Sequence, residues 1–445
     1  MRGSSEEGIF APRFRGLTIG AVGLVSLVAF EGLALTTLAP TMSRELGGGS
    51  LYGLIFSVFF LLQMVGALVT GRQADRRGLA MPFALSLMLF GAGLLIAGLS
   101  PNMGALIAAR ALQGWGAGGF TTSVYATINL CYPDSLRPRM LAALSSAWVL
   151  PALVGPAAAG YIADTVGWRT VFLGLLPLAP VAWVLLSPSL RRMEPVNTTS
   201  SAQSAVLPYA LGLSAGTGML IWGLQAGSLP GISLSAGGLL VIAPCVRRVV
   251  PHGHSVARSL PAIVAARGLF VAAFFCAEAF LALALNSVGG YSASTAGLVI
   301  SAGSLSWSFG SWLQSRFDGR LGARGRRTRV RIGIALVALG IAIISAALIT
   351  GAGSLLVPAL VGWLCAGLGI GMAHSTSSAL TFLLAPAGRE GEVSSSLQLA
   401  DAALPALAIA AGGVLANTNV LYAFILGFAC AAGAFTASLF VSKQT

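Results

Sequence analysis

A chain of 445 residues that is 56% hydrophobic and only 9% charged carries too little charge for an ordinary water-soluble domain, where about a quarter of residues are charged. The net charge of +13 raises nucleic acid or an acidic partner as alternatives, but the arginines sit in short connections between apolar runs, so membrane orientation accounts for them and no nucleic-acid partner is expected. The five cysteines (Cys131, Cys245, Cys276, Cys365, Cys430) are scattered without metal-ligand spacing, and neither a metal site nor a cofactor is expected.

Residues 1–15, with Arg2, Arg13 and Arg15, read as a cytoplasmic tail. The apolar run 16–40 is too long for a signal peptide, carries Glu31 and lacks a small-residue cleavage site. Further runs follow at 51–71, 82–100, 103–130, 139–163, 170–188, 207–226, 231–249, 262–287, 293–316, 328–350, 354–385, 391–416 and 419–441. Each reads as a helix able to cross a hydrocarbon core of about 30 Å, and together they predict fourteen transmembrane helices. With the N-terminus inside, the inner connections hold Arg72, Arg76 and Arg77, Arg137 and Arg139, Arg191 and Arg192, Arg247, Arg248 and Arg258, a dense run from Arg316 to Arg331, Arg389 and finally Lys443. The outer ones hold only Arg44 and Arg169. This is the positive-inside asymmetry, and it places both termini in the cytoplasm.

Residues 189–206 are polar and rich in Ser and Thr, as expected of a linker, and 250–261 form a second break. They divide the chain into an N-terminal six-helix bundle (16–188), two inserted helices (207–249), a C-terminal six-helix bundle (262–441) and a tail (442–445). The halves look related. Gly114, Gly116 and Gly118 in the fourth run recur as Gly367, Gly369 and Gly371, Leu150-Pro151-Ala152-Leu153 recurs as Leu404-Pro405-Ala406-Leu407, and Glu31 and Glu278 stand late in the first run of each half. Two related halves with a substrate path at their interface is a common transporter architecture.

Gly71-Arg-Gln-Ala-Asp75-Arg76-Arg77-Gly78 resembles the loop signature of the major facilitator superfamily, departing where Leu79 and Ala80 replace basic residues. The resemblance makes Gly71, Asp75, Arg76 and Gly78 a cytoplasmic gate that latches one state through contacts across the half-to-half seam. Arg110 with Gln113 and Gly114 resembles the family's fourth-helix motif; an arginine there costs roughly 2.5 to 3.5 kcal/mol to insert and needs a purpose. Gly155-Pro156-Ala-Ala-Ala-Gly160 resembles the antiporter motif, with Ala159 for one glycine and Pro151 where an upstream glycine is usual. In the family that motif accompanies export. Glu31 ahead of Leu38-Ala39-Pro40, Gly167-Trp168-Arg169, and Gly289-Gly290-Tyr291-Ser292 with Ala296-Gly297-Leu298 resemble the fourteen-helix drug:proton antiporters. The resemblance covers nearly the whole chain. It implies an all-α membrane protein of the major facilitator fold, two six-helix bundles plus two inserted helices.

Of the thirteen acidic residues, only Glu31, Glu278 and Asp401 fall deep inside apolar runs. At 1.5 Å per residue Glu31 and Arg110 lie roughly 13 and 10 Å below the outer ends of their runs, so they can pair. Glu31 is expected to carry a coupled proton with Arg110 tuning it, and Glu278 and Asp401 are further candidates for proton coupling. Gln113, Trp148, Trp307, Trp363 and His374 are candidate cavity residues for flat apolar substrates. No phosphate-binding loop of the Gly-x-x-x-x-Gly-Lys type occurs, and no catalytic constellation is recognisable. The expected protein is therefore not an enzyme but a monomeric, multi-pass, proton-coupled exporter of amphipathic small molecules in the bacterial cytoplasmic membrane, contributing to multidrug efflux and antibiotic resistance. The alternatives are a dedicated exporter of a lipid, siderophore or metabolite, and a non-transporting sensor of the same fold.

Overall fold

The structure, a computed structural model, describes residues 8–191, 201–226, 229–249, 259–317, 322–351, 353–385 and 390–441. Most of the expected tails, linker and second break, with Arg2, Arg192, Arg258, Arg320, Arg389 and Lys443, lie outside the described residues.

Among the described residues the chain is helical, with sixteen α-helices and one short 3-10 turn before α2. The first half comprises α1 (Pro12–Leu46), α2 (Leu54–Arg77), α3 (Ala80–Gly98), α4 (Met103–Cys131), α5 (Arg137–Ser146), α6 (Val149–Thr165), α7 (Arg169–Leu175) and α8 (Leu178–Leu190). Then come α9 (Ser201–Ala226) and α10 (Leu229–Val249). The second half comprises α11 (Ser259–Ser287), α12 (Ala293–Phe317), α13 (Gly322–Thr350), α14 (Leu356–Leu384), α15 (Glu390–Ala416) and α16 (Val420–Leu439). The pairs α5/α6 and α7/α8 each make one pass, so the sixteen helices form fourteen passes.

Proline chemistry explains both breaks. Pro151 has no N–H to return to the Ala147 carbonyl, and that carbonyl accepts instead from the Ser26 hydroxyl at 2.9 Å. Pro177 likewise leaves the Leu173 carbonyl, which accepts from the Leu176 N–H at 3.2 Å in a tightened turn.

Ten segments are long and apolar enough to cross a membrane, which makes this a multi-pass membrane protein. Neither α4 nor α12 is among them. Both spend their sequence on Gly and Ser for close packing. On α4, a Cβ at Gly114 or Gly118 would come within 2.3 Å of the Phe59 or 1.9 Å of the Gln63 carbonyl oxygen on α2, and one at Gly116 within 2.4 Å of the Ser86 oxygen on α3. Gly367 and Gly371 press in the same way on α12, and Gly369 on α13. The repeated glycine spacing is thus one packing solution used twice. Position i and i+4 face one neighbour, and i+2, about 200° around the helix, faces the other.

The halves meet through α6 with α12, α2 with α15, and α1 with α11 and α12. Their closest contacts gather at the end where α1 stops and α2 begins, the arginine-poor end. There Tyr52 donates its hydroxyl to the Ala279 carbonyl at 2.9 Å, Gly53 abuts Gly413, and Ser294 donates its N–H (3.0 Å) and its hydroxyl to Asp164. The same end is tied within the first half by Trp168 and Arg169, which both donate to Glu45, at 2.8 and 2.9 Å. Gly167 makes the preceding turn at φ 103°, a region that favours glycine.

Candidate functional site

Glu31 is carried mid-way along α1, and Arg110 sits two turns into α4. Their side chains form a buried ion pair. Although α1 runs on to Leu46, beyond the expected end at residue 40, the two groups still meet. Arg110 is held by more than the carboxylate: its Nε donates to the Ile55 carbonyl at 3.0 Å and Nη1 to Gln113 Oε1 at 2.8 Å. Its guanidinium also lies 4.4 Å from the Phe59 ring centroid, a cation–π placement. Only one carboxylate oxygen of Glu31 is bonded; Oε2 is buried without a hydrogen-bond partner, as is Gln113 Nε2. A site whose cation is fixed by neutral acceptors and whose anion has a spare oxygen can change protonation without losing its scaffold.

The antiporter-like residues line the seam. Pro156 and Gly160 on α6 lie against Gly297 and Ala293 on α12, where a Cβ on Gly160 would come within 2.6 Å of the Ala293 oxygen and one on Gly297 within 2.3 Å of the Pro156 oxygen. Gly155 faces Phe30, the neighbour of Glu31, and Pro151 marks the break between α5 and α6. At the opposite, arginine-rich end, Gly71 is buried against the bundle and Gly78 ends α2 at φ 79°. Asp75 and Arg76 make no side-chain hydrogen bond or ion pair among the described residues, whereas the halves touch directly at the other end through Tyr52 and Ala279 and through Asp164 and Ser294.

Glu278 on α11 is buried next to Ala279, the Tyr52 acceptor. It has no ion-pair partner among the described residues, unlike Glu31. Asp401 on α15 pairs instead with Arg267 on α11, at 2.7 Å, a residue that sequence reasoning passed over inside an apolar run. The available signal was that a deep carboxylate in the second half needs a cation, and Arg267 lies well inside the first helix of that half. His374 joins the pair through Nε2, 2.8 Å from Arg267 Nη2. Trp307 lies half-buried beside His374, ring centroids 5.9 Å apart. Trp363 is fully buried and stacked on Phe274 at 4.6 Å, Gln113 is buried beside Arg110, and Trp148 is exposed at the α5/α6 break. The structure therefore gathers Trp307 and His374 at one place, with Trp363 buried behind them across the Phe274 ring, and puts Gln113 and Trp148 elsewhere. No group of His, Cys, Asp and Glu able to hold a metal occurs among the described residues.

Comparison with known proteins bears on the family and the fold. The chain is 33% identical over 183 residues to an Acurin A biosynthesis cluster MFS-type transporter of Aspergillus aculeatus, covering 40% of this chain and 33% of that protein. It is 31% identical over 176 residues to a probable multidrug-efflux transporter of Mycobacterium tuberculosis, covering 40% and 37%. It thus spans about a third of the length of the curated relatives it matches. Its fold is similar to that of a POT family transporter crystallised with 5-aminolevulinic acid, at TM-score 0.75 and 15% identity, covering 98% of this chain and 97% of that one. A profile of the Major Facilitator Superfamily matches residues 20–409, and the chain belongs to that superfamily.

Proposed function

We propose that this protein is a proton-coupled antiporter that exports amphipathic small molecules by alternating access, with both termini on the cytoplasmic side of a bacterial inner membrane. The observation that carries the reading is the buried Glu31–Arg110 pair with its spare carboxylate oxygen. In this reading a proton arriving from outside binds Glu31 and cancels its charge. Arg110 stays in place on Ile55, Gln113 and the Phe59 ring. Because α1 packs on α11 and α12 of the other half, a charge change on α1 acts at the seam that must rock. In this reading the closed arginine-poor end belongs to a state that loads cargo from the cytoplasm, and Asp75 and Arg76 would engage when the arginine-rich end closes. The energy available is about 2.3 kcal/mol per charge for each 100 mV, plus the pH gradient.

Export is supported by the residues resembling the antiporter motif and by the printed description of the mycobacterial relative as a multidrug-efflux transporter. The fungal relative is described by a biosynthesis cluster, which favours a dedicated metabolite exporter as the second reading. Drug susceptibility of a deletion strain, set beside its extracellular metabolites, separates the two. The central test uses purified protein in liposomes with an imposed pH gradient and a panel of amphipathic dyes. Glu31→Gln is expected to lose gradient-driven accumulation while retaining dye-for-dye exchange. Retained gradient-driven accumulation in that variant would remove Glu31 from the coupling role.

A further inference from the structure

The second half holds a charge cluster apart from the Glu31–Arg110 pair. Arg267 lies about 12 Å from the arginine-rich end of α11, and Asp401 about 16 Å from that end of α15, at 1.5 Å per residue. Arg267 Nε donates to both Asp401 oxygens at 2.9 and 3.0 Å, and Nη2 donates to Oδ2 at 2.7 Å. The guanidinium has four other acceptors: the His374 carbonyl at 3.3 Å, His374 Nε2 at 2.8 Å, Ser377 Oγ at 3.4 Å and Ser378 Oγ. An arginine nitrogen can only donate, so in this contact His374 Nε2 takes the acceptor role, and the same nitrogen stands 3.7 Å from Asp401 Oδ2. The Arg267 side chain is 6% exposed, Asp401 26% and His374 33%. The cluster is therefore open on its carboxylate and imidazole side, whereas the Glu31–Arg110 pair is closed. Trp307 walls that side beside His374, edge-on to Phe274 at 5.2 Å.

We propose that this cluster is the recognition site for the carboxyl group of an amphipathic organic acid, whose carboxylate takes the place of Asp401 on the Arg267 fork. The proposal rests on the transport reading above and names its cargo class. Charge balance selects the ligand. A cation binding to Asp401 would put two positive charges on one carboxylate in a partly desolvated site. An acid entering in its neutral form adds no net charge. Its carboxyl O–H bond breaks, an O–H bond forms on Asp401, and the new carboxylate takes the fork, leaving one cation and one anion as before. Arg267 is not stranded during the exchange, because the His374 and Ser acceptors hold it. The planar fork matches a carboxylate, and Trp307 with Phe275, backed by the buried Phe274, offers an apolar wall to an alkyl or aromatic body.

The test is a binding measurement on the purified full chain in maltoside detergent, with no gradient, so its failure and that of proton-driven transport are separable. The probes are 11-bromoundecanoate, 11-bromoundecanol and (11-bromoundecyl)trimethylammonium, whose bromine quenches tryptophan fluorescence. The carboxylate is expected to quench saturably, to be displaced by undecanoate, and to take up one proton from a weakly buffered solution for each molecule bound, since Asp401 becomes neutral. Arg267→Gln should weaken it at least about tenfold, as loss of a charge-assisted fork does. Ser378→Ala should weaken it severalfold, and Trp307→Phe should remove most of the saturable signal. If Arg267→Gln is not monodisperse, Ser378→Ala and the proton count decide the matter. Tighter binding of the trimethylammonium compound, carboxylate binding without proton uptake, or unchanged affinity in a folded Arg267→Gln protein would each overturn the assignment.

Discussion

Arg110 shows why a single buried charge in this protein is held from several sides. Its guanidinium satisfies Glu31, the Ile55 carbonyl and Gln113, and covers the Phe59 ring. Removing one partner of such a pair leaves the other charge buried and uncompensated, at a cost of roughly 3–5 kcal/mol. Arg110→Gln is therefore expected to lower thermal stability sharply, because Glu31 keeps its place with no cation. Glu31→Gln should cost less, because Arg110 retains neutral acceptors and a ring. The double variant should be less destabilised than the sum of the single ones. Thermal unfolding of the four proteins in one detergent completes the cycle, and additive effects would show that the two side chains do not interact.

At the scale of the element, the kink in the fifth pass ties a proline to a serine on another helix. Pro151 frees the Ala147 carbonyl, and Ser26 on α1 occupies it. Ser26→Ala should cost about 0.5–1.5 kcal/mol, the usual worth of one hydrogen bond. In a Pro151→Ala background, where the helix can supply its own N–H, the same change should cost close to nothing; an equal cost in both backgrounds would break the link. The close-packed glycines give a sharper contrast. Gly116→Val must displace the Ser86 carbonyl oxygen and Phe90, which lie within 2.7 Å of a Cβ, and should abolish a monodisperse peak on size exclusion. Gly174→Ala, with nothing within 4 Å, should leave that peak intact.

These same elements explain what could be read from the chain. Hydropathy read together with the arginine alternation counts fourteen passes, as the helices do, although α4, α9, α10 and α12 do not qualify by length and hydropathy alone; Glu31 and Arg110 were legible as partners because each is a costly ion at a similar depth. The breaks at Ala147 and Leu176 were less visible, since a proline within an apolar run predicts a bend without saying whether the helix stops. Arg267 was missed because Asp401 stands 134 positions later; only the fold brings α11, α14 and α15 together. Trp363 shows the opposite limit. An aromatic residue in a polar-cavity setting and one in a core look alike in sequence, and the structure buries its ring over Gly303.

For the whole molecule, the decisive feature is that the halves touch most closely at one end. Tyr52 to Ala279, Gly53 to Gly413, Gly160 to Ala293 and Asp164 to Ser294 all lie at the arginine-poor end. α9 packs on both α2 and α15, with Ser214 donating to the Leu61 carbonyl at 3.4 Å, so the inserted pair bridges the two halves. Alternating access requires the arginine-poor contacts to open once per cycle, each being a set of short polar and backbone contacts rather than a deep interlock. Asp164 and Ser294 are the best place to test this, because their side chains already touch and neither belongs to the proton or cargo sites. A protein with Asp164→Cys and Ser294→Cys, in a background without the five native cysteines, should cross-link with a short bifunctional thiol reagent. Cross-linking should reduce gradient-driven transport at least about tenfold, the effect of only about 1.4 kcal/mol on a population balance, with recovery when a cleavable linker is reduced. Binding of bromoundecanoate should persist in the cross-linked protein, since the Arg267 cluster lies toward the opposite end. Undiminished transport in the cross-linked protein would mean that the sealed end never opens in the cycle, and that the cargo path runs elsewhere.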